Sequence, residues 1–446
     1  MNRRKDILYS SGNISASLTG AVFSTYIIFF YVDVLKMPAH LIGLAMAIYG
    51  IWNAINDPLL GQLSDKTRSK WGRRIPYVLF GALPFVISFI LVWAPPVKLL
   101  GGNITSMFIY FISIVFFYDT LYTLVIINWT SLFPEMYKTQ EERTRVSMYR
   151  QIFGIIGNIF GVAMPPILYS AIGWPAMGVF FGVLTLIFLG LSLCGSKEDK
   201  AHSQSAGLPL FEALKTILSN KSFLTYVVAS MFLQFTFITI QAVLPFYAKY
   251  IIGIEGFQVS ALLGVIFIMA MFWVGFWRRI ANKKGSKQTM ISAIILYGLA
   301  LIPFWFINGF IGAVITAALL GIGLAGVIIL LDIFISDIVD EDELKTGTRR
   351  EGMYFGMNGF MVRIAISIQS VIMGLMLAKS GYNAQLPIGS QPASAILGIK
   401  LLLVVIPLAA LVFSVLFYRR YPLYGDKLME VKSKLQLRHD NKNIGG

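Results

Sequence analysis

Twelve stretches of about 20 apolar residues constrain this chain more than any other feature of its sequence. A helix needs about 20 such residues to cross the hydrocarbon core of a bilayer. Only 13% of the residues are charged, which is about half the share found in soluble domains. The predicted spans cover approximately residues 9–34, 40–62, 76–95, 105–133, 146–169, 175–195, 222–248, 256–277, 288–307, 311–336, 353–379 and 394–418. The sequence therefore predicts a protein that crosses a membrane many times.

The backbone of these spans limits the secondary structure. Hydrocarbon offers no hydrogen-bond partners, and so little hydrophilic chain is left over that nearly all backbone N–H and C=O groups must pair within helices. We therefore expect an all-α membrane protein with twelve transmembrane helices. The first span is too long for a cleavable signal and lacks a small-residue cleavage site, so we expect it to be a permanent helix.

Basic residues collect in alternate joints between the spans. The N-terminus, the 2–3 joint (residues 66–74) and the 8–9 joint (residues 278–287) are strongly basic, and so are the 4–5 and 10–11 joints, the central loop and the tail. By the positive-inside rule these parts are cytoplasmic, which predicts a multi-pass protein of the cell membrane with both termini inside. The net charge of +15 is thus a sign of topology, and we expect no nucleic-acid partner.

The longest interior hydrophilic stretch divides the spans into six and six. We predict an N-terminal six-helix bundle (residues 1–195), a cytoplasmic linker (196–221), a C-terminal six-helix bundle (222–418) and a basic cytoplasmic tail (419–446). In each half the joint after the second span is the most basic. This recurrence is typical of two bundles related by an axis along the membrane normal, which rock about a central cavity. The alternative is that any cytoplasmic loop is basic.

The second span carries a polar face. Asn53, Asn56 and Asp57 have i, i+3, i+4 spacing, so they project from one side of a helix. A carboxylate and two amide oxygens suit a small monovalent cation, and the carboxylate alone could take a proton. An ionisable group in a span costs about 2.5–3.5 kcal/mol on insertion scales unless it faces a cavity or a partner. The alternative is a polar patch that only joins helices.

Two arginines and a tryptophan are candidates for binding a substrate. Arg150 lies in the first turns of span 5, where snorkelling could rescue it. Arg363 lies about three turns into span 11, too deep for that, so it should face a wet cavity or a carboxylate. Trp129 falls between Asn128 and Thr130 in span 4, where its ring could pack on a sugar.

Other acidic groups allow two interpretations each. Asp119 in span 4 could make a structural hydrogen bond or line a cavity. Asp33 is near the outer end of span 1, where a helix-end role is expected. The acidic run 337–343 follows span 10. It could be a solvated loop, or its members Asp337 and Asp340 could form a cytoplasmic gate with the basic 2–3 joint. The gating partners in that joint would come from Asp65, Arg73 and Arg74.

Four stretches resemble one known family. Residues 56–76 are similar to the span 2 signature of the glycoside-pentoside-hexuronide:cation symporters, a branch of the major facilitator superfamily typified by melibiose permease. Residues 134–150 and 337–352 resemble that family's 4–5 and 10–11 joints, and residues 31–34 resemble its span 1 ending. The resemblance covers both halves, and it implies the major facilitator fold of two six-helix bundles.

The resemblance implies a cation site. In that family a cation is held by acidic and amide side chains of span 2 with a threonine of span 4, and Asn56, Asp57 and Thr123 match. Asn53 stands where the sodium-coupled melibiose carrier has a second aspartate. One carboxylate fewer should weaken sodium binding and make a proton competitive, so the coupling ion is Na⁺ or H⁺. We expect no other cofactor and no resident metal.

The resemblance also implies a sugar site. Arg150 and Arg363 match the family's basic residues of spans 5 and 11, the latter in place of a lysine, and Asn358 falls where an amide helps to bind substrate. Tyr122, beside Thr123, and Trp129 complete the predicted set. The two aspartates that accept sugar hydroxyls in the galactoside carrier fall near Ser17 and within the apolar residues 124–127. Their loss disfavours melibiose and favours a ligand with a carboxylate, such as a hexuronide.

We therefore expect a secondary active symporter, acting as a monomer in the lipid bilayer on a sugar or sugar acid. Co-occupancy would neutralise Asp57 and satisfy the arginines, which lowers the barrier to rocking. A second hypothesis keeps the fold and changes the substrate to a lysophospholipid, as in related eukaryotic family members. A remote third is a membrane-embedded transferase, which is disfavoured because the histidines lie in loops and the tail and no acid–base pair flanks a nucleophile. We expect no enzymatic activity.

Overall fold

The computed structural model describes residues 3–137, 139–198, 219–347 and 350–444. Within these ranges every regular element is helical, which confirms the all-α prediction. The helices are α1 (Arg3–Ile28), α2 (Ala39–Lys66), α3 (Ile75–Trp93), α4 (Ile104–Met136), α5 (Gln140–Ala163), α6 (Pro165–Gly195), α7 (Lys221–Tyr247), α8 (Phe257–Lys284), α9 (Ser286–Leu299), α10 (Phe310–Thr346), α11 (Glu351–Lys379), α12 (Ala393–Lys400), α13 (Ile406–Arg419) and α14 (Gly425–Ile444). A π-helical turn, Leu401–Val405, joins α12 and α13 into one span.

The twelve predicted spans each correspond to a helical segment of the described chain. Ten of these segments are long and apolar enough to cross a membrane. The two that fall short are α2 and α5. They are 28 and 24 residues long, so composition and not length separates them from the rest. Helix α2 contains three of the four predicted cation-binding residues, Asn53, Asn56 and Asp57, and α5 contains Arg150.

The boundary between the fifth and sixth helices differs from the prediction. Helix α5 ends at Ala163, six residues before the expected end of the span, because α6 begins at Pro165. A proline has no N–H to continue a helix but fits its first turn. Gly173 then interrupts α6 with φ 81° and ψ 165°, two residues before Pro175.

The acidic run is helical, so the expectation of a solvated loop is wrong. Helix α10 continues through it to Thr346 and ends where Gly347 adopts φ 78°, a left-handed conformation that favours glycine. Asp337, Glu341 and Asp342 are only 4%, 2% and 4% exposed. Their burial is possible because each has a basic partner, as described below.

Two compact units divide the chain. The first contains Met1–Ala206, Leu244–Gly264 and Ser370–Ile396, and the second contains Gly207–Val243, Val265–Gln369 and Leu397–Gly446. Most of the predicted linker, residues 199–218, lies outside the described residues. The division into bundles at residues 195 and 222 stays a prediction.

Helix α1 is the central helix of the first unit, where it packs against α5 and α6. Gly157 and Gly161 of α5 make this approach possible. A Cβ atom on Gly157 would lie 2.7 Å from the Ile14 carbonyl oxygen, and one on Gly161 would lie 2.6 Å from that of Leu18. Small residues spaced by four are the usual means of bringing membrane helices together. Helix α2 packs on α4, and α3 packs on α4 and α6.

In the second unit, α9 packs on α10 and α13, and α14 packs on α10. Helix α14 lies in the basic tail, for which the sequence predicted no structure. It buries Val431 and Leu435, four residues apart on one face. The tail is thus an amphipathic helix docked on α10.

Candidate functional site

The predicted cation-binding residues meet between α2 and α4 of the first unit. Thr123 of α4 donates a hydrogen bond from Oγ1 to Asp57 Oδ1 at 3.1 Å. Thr123 is 3% exposed, and Asn53 and Asn56 are 8% and 2% exposed. Asp57 is partly exposed, so the four residues form one polar cluster within the spans that is buried except at Asp57.

Asp119 completes this cluster from α4. The amide nitrogens of Asn53 and Asn56 donate to its Oδ1 and Oδ2 at 2.5 and 3.0 Å. The Tyr49 hydroxyl also donates to Oδ1, at 3.2 Å. Asp119 is 2% exposed, and its hydrogen-bond donors in the described residues are all neutral. Asp119 thus makes hydrogen bonds that join it to the predicted cation site, and its role in lining a cavity stays a prediction.

Sequence spacing explains why the two helices match. On α2, Tyr49, Asn53 and Asp57 are four residues apart, and on α4 Asp119 and Thr123 are four apart, so each set lies on one face. One turn away, Trp52 Nε1 donates to Thr120 Oγ1 at 3.2 Å. The Trp52 indole also stacks on the ring of Phe116, with centroids 5.3 Å apart. These contacts fix the rotation of α2 against α4.

The side-chain oxygen of Asn53, Oδ1, is buried and has no hydrogen-bond partner in the described part of the chain. An amide that donates its N–H₂ group to a carboxylate must direct its oxygen away from that carboxylate. Asp119 therefore orients Asn53 so that a buried oxygen is left with its lone pairs unused. Buried polar atoms are almost always paired, so such an atom suggests a missing ligand.

Arg150 is partly exposed and lies about three turns into α5, which begins at Gln140, so it is not in the first turns as the sequence predicted. Its guanidinium lies over the rings of Trp129 and Phe133, 4.9 and 5.0 Å from their centroids, and its Nε is buried without a hydrogen-bond partner among the described residues. Its backbone oxygen accepts a bond from Asn13 Nδ2 at 2.7 Å. Aromatic rings and α1 thus hold this arginine in place.

The Trp129 ring is packed within the first unit and is 1% exposed. It stacks on Tyr9 at 5.3 Å, donates from Nε1 to Ser192 Oγ at 2.8 Å and lies beneath Arg150. The structure therefore gives Trp129 a role in supporting Arg150. Stacking on a sugar stays a prediction, and it would require these neighbours to move.

Helix α1 presents one narrow polar stripe. From Tyr9 to Asp33 every residue is buried except Asn13, Ser17, Gly20 and Ser24, which are partly exposed. Their spacing places them on one face of the helix. The Tyr122 hydroxyl lies on the same side, 4.0 Å from the position of a Cβ atom on Gly20. This stripe, defined by Asn13, Ser17, Gly20 and Ser24, was not singled out from the sequence beyond Ser17.

Arg363 and Asn358 belong to the second unit. Both lie on α11 and are partly exposed. Asn358 Oδ1 accepts a hydrogen bond of 3.5 Å from Ser230 Oγ of α7. The sharing of one substrate by Arg150 and Arg363 stays a prediction.

The predicted gating arginines have acidic partners within the first unit. Arg73 and Arg74 each donate to Glu135 Oε1, at 2.7 Å. Glu198 accepts from their backbone N–H groups at 2.7 and 2.9 Å, where α3 begins and anions are favoured. The Asp65 side chain lies outside the described residues.

The acidic gating residues also have partners, in the second unit. Lys432 of α14 pairs with Asp337 at 2.7 Å, and Lys427 lies 3.7 Å from Glu341. Arg350 pairs with Asp342 through two bonds of 2.6 and 2.9 Å, which raises the pKa of the guanidinium. Asp340 is partly exposed. Exchange between these pairs and the 2–3 joint stays a prediction.

A second buried aspartate of the first unit is fully paired. Asp33, at 0% exposure, accepts from Lys249 Nζ and the Tyr382 hydroxyl, both at 2.5 Å, and from the Tyr250 hydroxyl. Asp33 thus joins α1 to the segments Leu244–Gly264 and Ser370–Ile396 of the same unit. The sequence predicted only a helix-end role.

Sequence reasoning missed Tyr49 and left Asp119 undecided. A signal was present, because Tyr49 extends the polar face of α2 by one turn and Asp119 precedes Thr123 by one turn. Which faces of α2 and α4 meet, however, depends on packing and could not be read from either helix alone.

A family model described as "MFS/sugar transport protein" matches residues 8–425 of the chain. An uncharacterized symporter of Synechocystis, sll1374, is 26% identical over 98% of the chain and 97% of its own length. The isoprimeverose transporter of Lactiplantibacillus pentosus is also 26% identical, over 96% of the chain and 90% of its own length. The sodium-dependent lysophosphatidylcholine symporter 1 of Xenopus tropicalis is 22% identical, over 97% and 89%.

Among solved structures, the nucleoside transporter NupG superposes with a TM-score of 0.66. It is 16% identical, and the alignment covers 94% of this chain and 99% of that one. At this identity the likeness shows the fold alone.

Proposed function

Because the chain belongs to the MFS/sugar transport protein family, we propose that it is a cation-coupled symporter of a glycoside, pentoside or hexuronide. Membership makes it a multi-pass membrane transporter of the major facilitator type and not an enzyme. We further propose that it resides in the cell membrane as a monomer with both termini in the cytoplasm, because basic residues collect in alternate joints and in the tail, which the positive-inside rule assigns to the cytoplasm. Two six-helix bundles joined by the linker would rock about a central cavity.

The observation that carries this proposal is the cluster of Asp57, Thr123, Asn53 and Asn56 between α2 and α4. It offers carboxylate, hydroxyl and amide oxygens to a small monovalent cation, Na⁺ or H⁺. Asp57 couples the two fluxes, since a cation neutralises it only while the substrate satisfies Arg150 and Arg363. A lone ligand leaves an uncompensated charge, which raises the barrier to rocking.

The proposed substrate bears a carboxylate. Arg150 is held against two rings with a buried, unpaired Nε, which suits an anionic group. The α1 stripe nearby offers amide and hydroxyl groups and no carboxylate. A hexuronide or hexuronate fits this combination better than a neutral galactoside does. Tyr122, Asn358 and Trp129 complete the proposed site.

Uptake into proteoliposomes tests the proposal. A panel of neutral glycosides and hexuronates is offered under a sodium gradient or a proton gradient, each imposed alone. We expect accumulation of a sugar acid under one of the two gradients. We expect the Asp57→Asn variant to lose accumulation and to keep downhill entry. Accumulation by this variant at the wild-type level would show that Asp57 does not couple the fluxes.

A lysophospholipid is the second candidate substrate. The relatives named sodium-dependent lysophosphatidylcholine symporters favour it, as do the partly exposed apolar residues Leu124, Ile126 and Ile127 of α4, which could line a path for an acyl chain. Competition separates the two candidates. Inhibition of uptake by lysophosphatidylcholine but not by sugars would replace the sugar proposal.

A further inference from the structure

We infer that Asp119 is the second carboxylate of the coupling site and makes that site selective for Na⁺. This inference rests on the proposed function of the α2–α4 cluster. Helix α2 contributes one acid, Asp57, and two amides, Asn53 and Asn56, to this cluster. The structure supplies a second acid from α4, in direct contact with Asn53.

Asp119 does more than add charge. Each of its carboxylate oxygens accepts from an amide nitrogen, at 2.5 Å from Asn53 and 3.0 Å from Asn56. The two amide oxygens are therefore directed away from Asp119. Asn53, Asn56 and Asp57 share one face of α2, so the amide oxygens become available on the face where Asp57 lies. Carboxylate and amide oxygens are the ligands that hard cations prefer.

The buried oxygen of Asn53 provides an independent sign of a ligand. Asn53 is 8% exposed, and its Oδ1 has no hydrogen-bond partner among the described side chains and backbone groups. A bound Na⁺ would satisfy this atom without a proton. A proton on Asp57 would supply one O–H donor, whereas a bound Na⁺ takes several oxygen ligands at once, so the carboxylate, hydroxyl and amide oxygens gathered here suit Na⁺ better.

The charge environment favours a mobile cation. Asp119 has Tyr49, Asn53 and Asn56 as its donors, and all three are neutral at pH 7. Neutral donors stabilise a buried anion only in part. Asp57 follows Asn56, which donates to Asp119, and accepts from Thr123, one turn after Asp119 on α4. The two carboxylates thus belong to one cluster, and a cation bound there reduces the repulsion between them.

Sodium binding to the purified full-length protein in nanodiscs tests this role without a transported substrate. Titration calorimetry follows the exchange of choline chloride for NaCl. We expect the Asp119→Asn variant to bind Na⁺ about 10- to 100-fold more weakly, as when a carboxylate that orients ligands is removed. Tyr110→Phe is the matched control, since it removes a hydrogen bond from α4 to the Leu91 backbone oxygen of α3, outside the cluster, and should leave Na⁺ affinity unchanged.

A swap variant separates the charge from simple packing. The double variant Asn53→Asp with Asp119→Asn exchanges the carboxylate and the amide between the two positions. The number of charges stays the same, and a carboxylate–amide hydrogen bond can still form. We expect this double variant to recover most of the Na⁺ affinity that Asp119→Asn loses. The Na⁺ over Li⁺ preference should fall in the single variant and return in the swap.

Two outcomes would overturn the role of Asp119. One is an unchanged Na⁺ affinity in Asp119→Asn when the variant elutes as a folded, monodisperse protein. The other is weak binding in the swap equal to that of the single variant, which would indicate a structural role alone. If instead the wild type binds no Na⁺ and only a proton gradient drives uptake, the sodium selectivity is wrong and cation coupling stands. Absence of uptake under either gradient would remove the proposed function itself.

Discussion

Asp33 and Asp119 are both almost completely buried in the first unit, yet different kinds of donors surround them. Asp33 has a lysine ammonium and two tyrosine hydroxyls. Asp119 has two amides and one tyrosine hydroxyl. The first carboxylate therefore has a permanent cation within the protein. The second has hydrogen bonds without a positive charge.

This difference distinguishes a buried acid that stabilises the fold from one that takes part in ion coupling. Burial alone identifies neither, because a buried carboxylate needs compensation in both cases. A lysine provides it continuously and ties segments of the unit together. Neutral donors leave part of the compensation to an ion that can arrive and leave. Glu135 resembles Asp33 in this respect, because its partners Arg73 and Arg74 are charged.

The largest expected effect concerns the ion pair of Asp33. The Lys249→Ala variant leaves a buried charge with hydroxyl donors only, so its free energy of unfolding should fall by about 3–5 kcal/mol. Unfolding in mixed detergent micelles measures this change. Lys98→Ala, at an exposed lysine, is the control. A loss no greater than that of the control would mean that the ion pair does not stabilise the fold.

Removing the acid together with the lysine sharpens this test. The double variant Asp33→Asn with Lys249→Ala has no uncompensated charge, so it should recover most of the lost stability. Sodium affinity should be the same in both variants as in the wild type. A large change in sodium affinity would place Asp33 in the coupling machinery and remove the distinction between the two acids.

A matched pair of tyrosine variants compares the clusters directly. Tyr382→Phe removes a hydroxyl from Asp33 and should lower the free energy of unfolding by about 1.5–3 kcal/mol, as for other hydrogen bonds to charged groups. Tyr49→Phe removes a hydroxyl from Asp119 and should weaken Na⁺ binding by about tenfold, or about 1.4 kcal/mol. Unfolding and calorimetric titration are measured on both variants. Equal effects of the two changes on both quantities would contradict the comparison.

The smallest expected effect concerns an ordinary contact between α2 and α4. Thr120→Val removes the acceptor of the Trp52 hydrogen bond and should cost about 0.6 kcal/mol, the mean for interhelical hydrogen bonds in a membrane protein. Unfolding in mixed micelles measures it. A loss above that of Lys249→Ala would show that α2–α4 packing, and not charge, dominates the stability of the cluster.

Much of the fold could be predicted from the sequence, because the length of an apolar run determines whether a helix can cross the bilayer. The polar face of α2 could also be predicted, because a carboxylate and two amides are unusual within an apolar span. The acidic run was different. Its charges suggested a solvent-exposed loop, but α10 continues to Thr346 because basic residues of α14 and Arg350 compensate three buried carboxylates.

Only part of the candidate site could be predicted, because the sequence shows the spacing along a helix but not the contacts between helices. Spacing along one helix places Asn53 beside Asp57 but does not reveal what faces them across the interface. The contact of Asp119 with both amides depends on the rotation of α2 against α4, which the Trp52 packing sets. Trp129 shows the same limit, since its polar neighbours in sequence are not its neighbours in space.

Simultaneous uptake of ²²Na⁺ and a labelled sugar acid into the same proteoliposomes tests the central claim most directly. The account predicts that the two enter in a constant ratio, that Na⁺ entry requires the sugar acid, and that Asp57→Asn loses the substrate-dependent Na⁺ flux. Entry of the sugar acid at the same rate and to the same level with Na⁺ replaced by choline would contradict it.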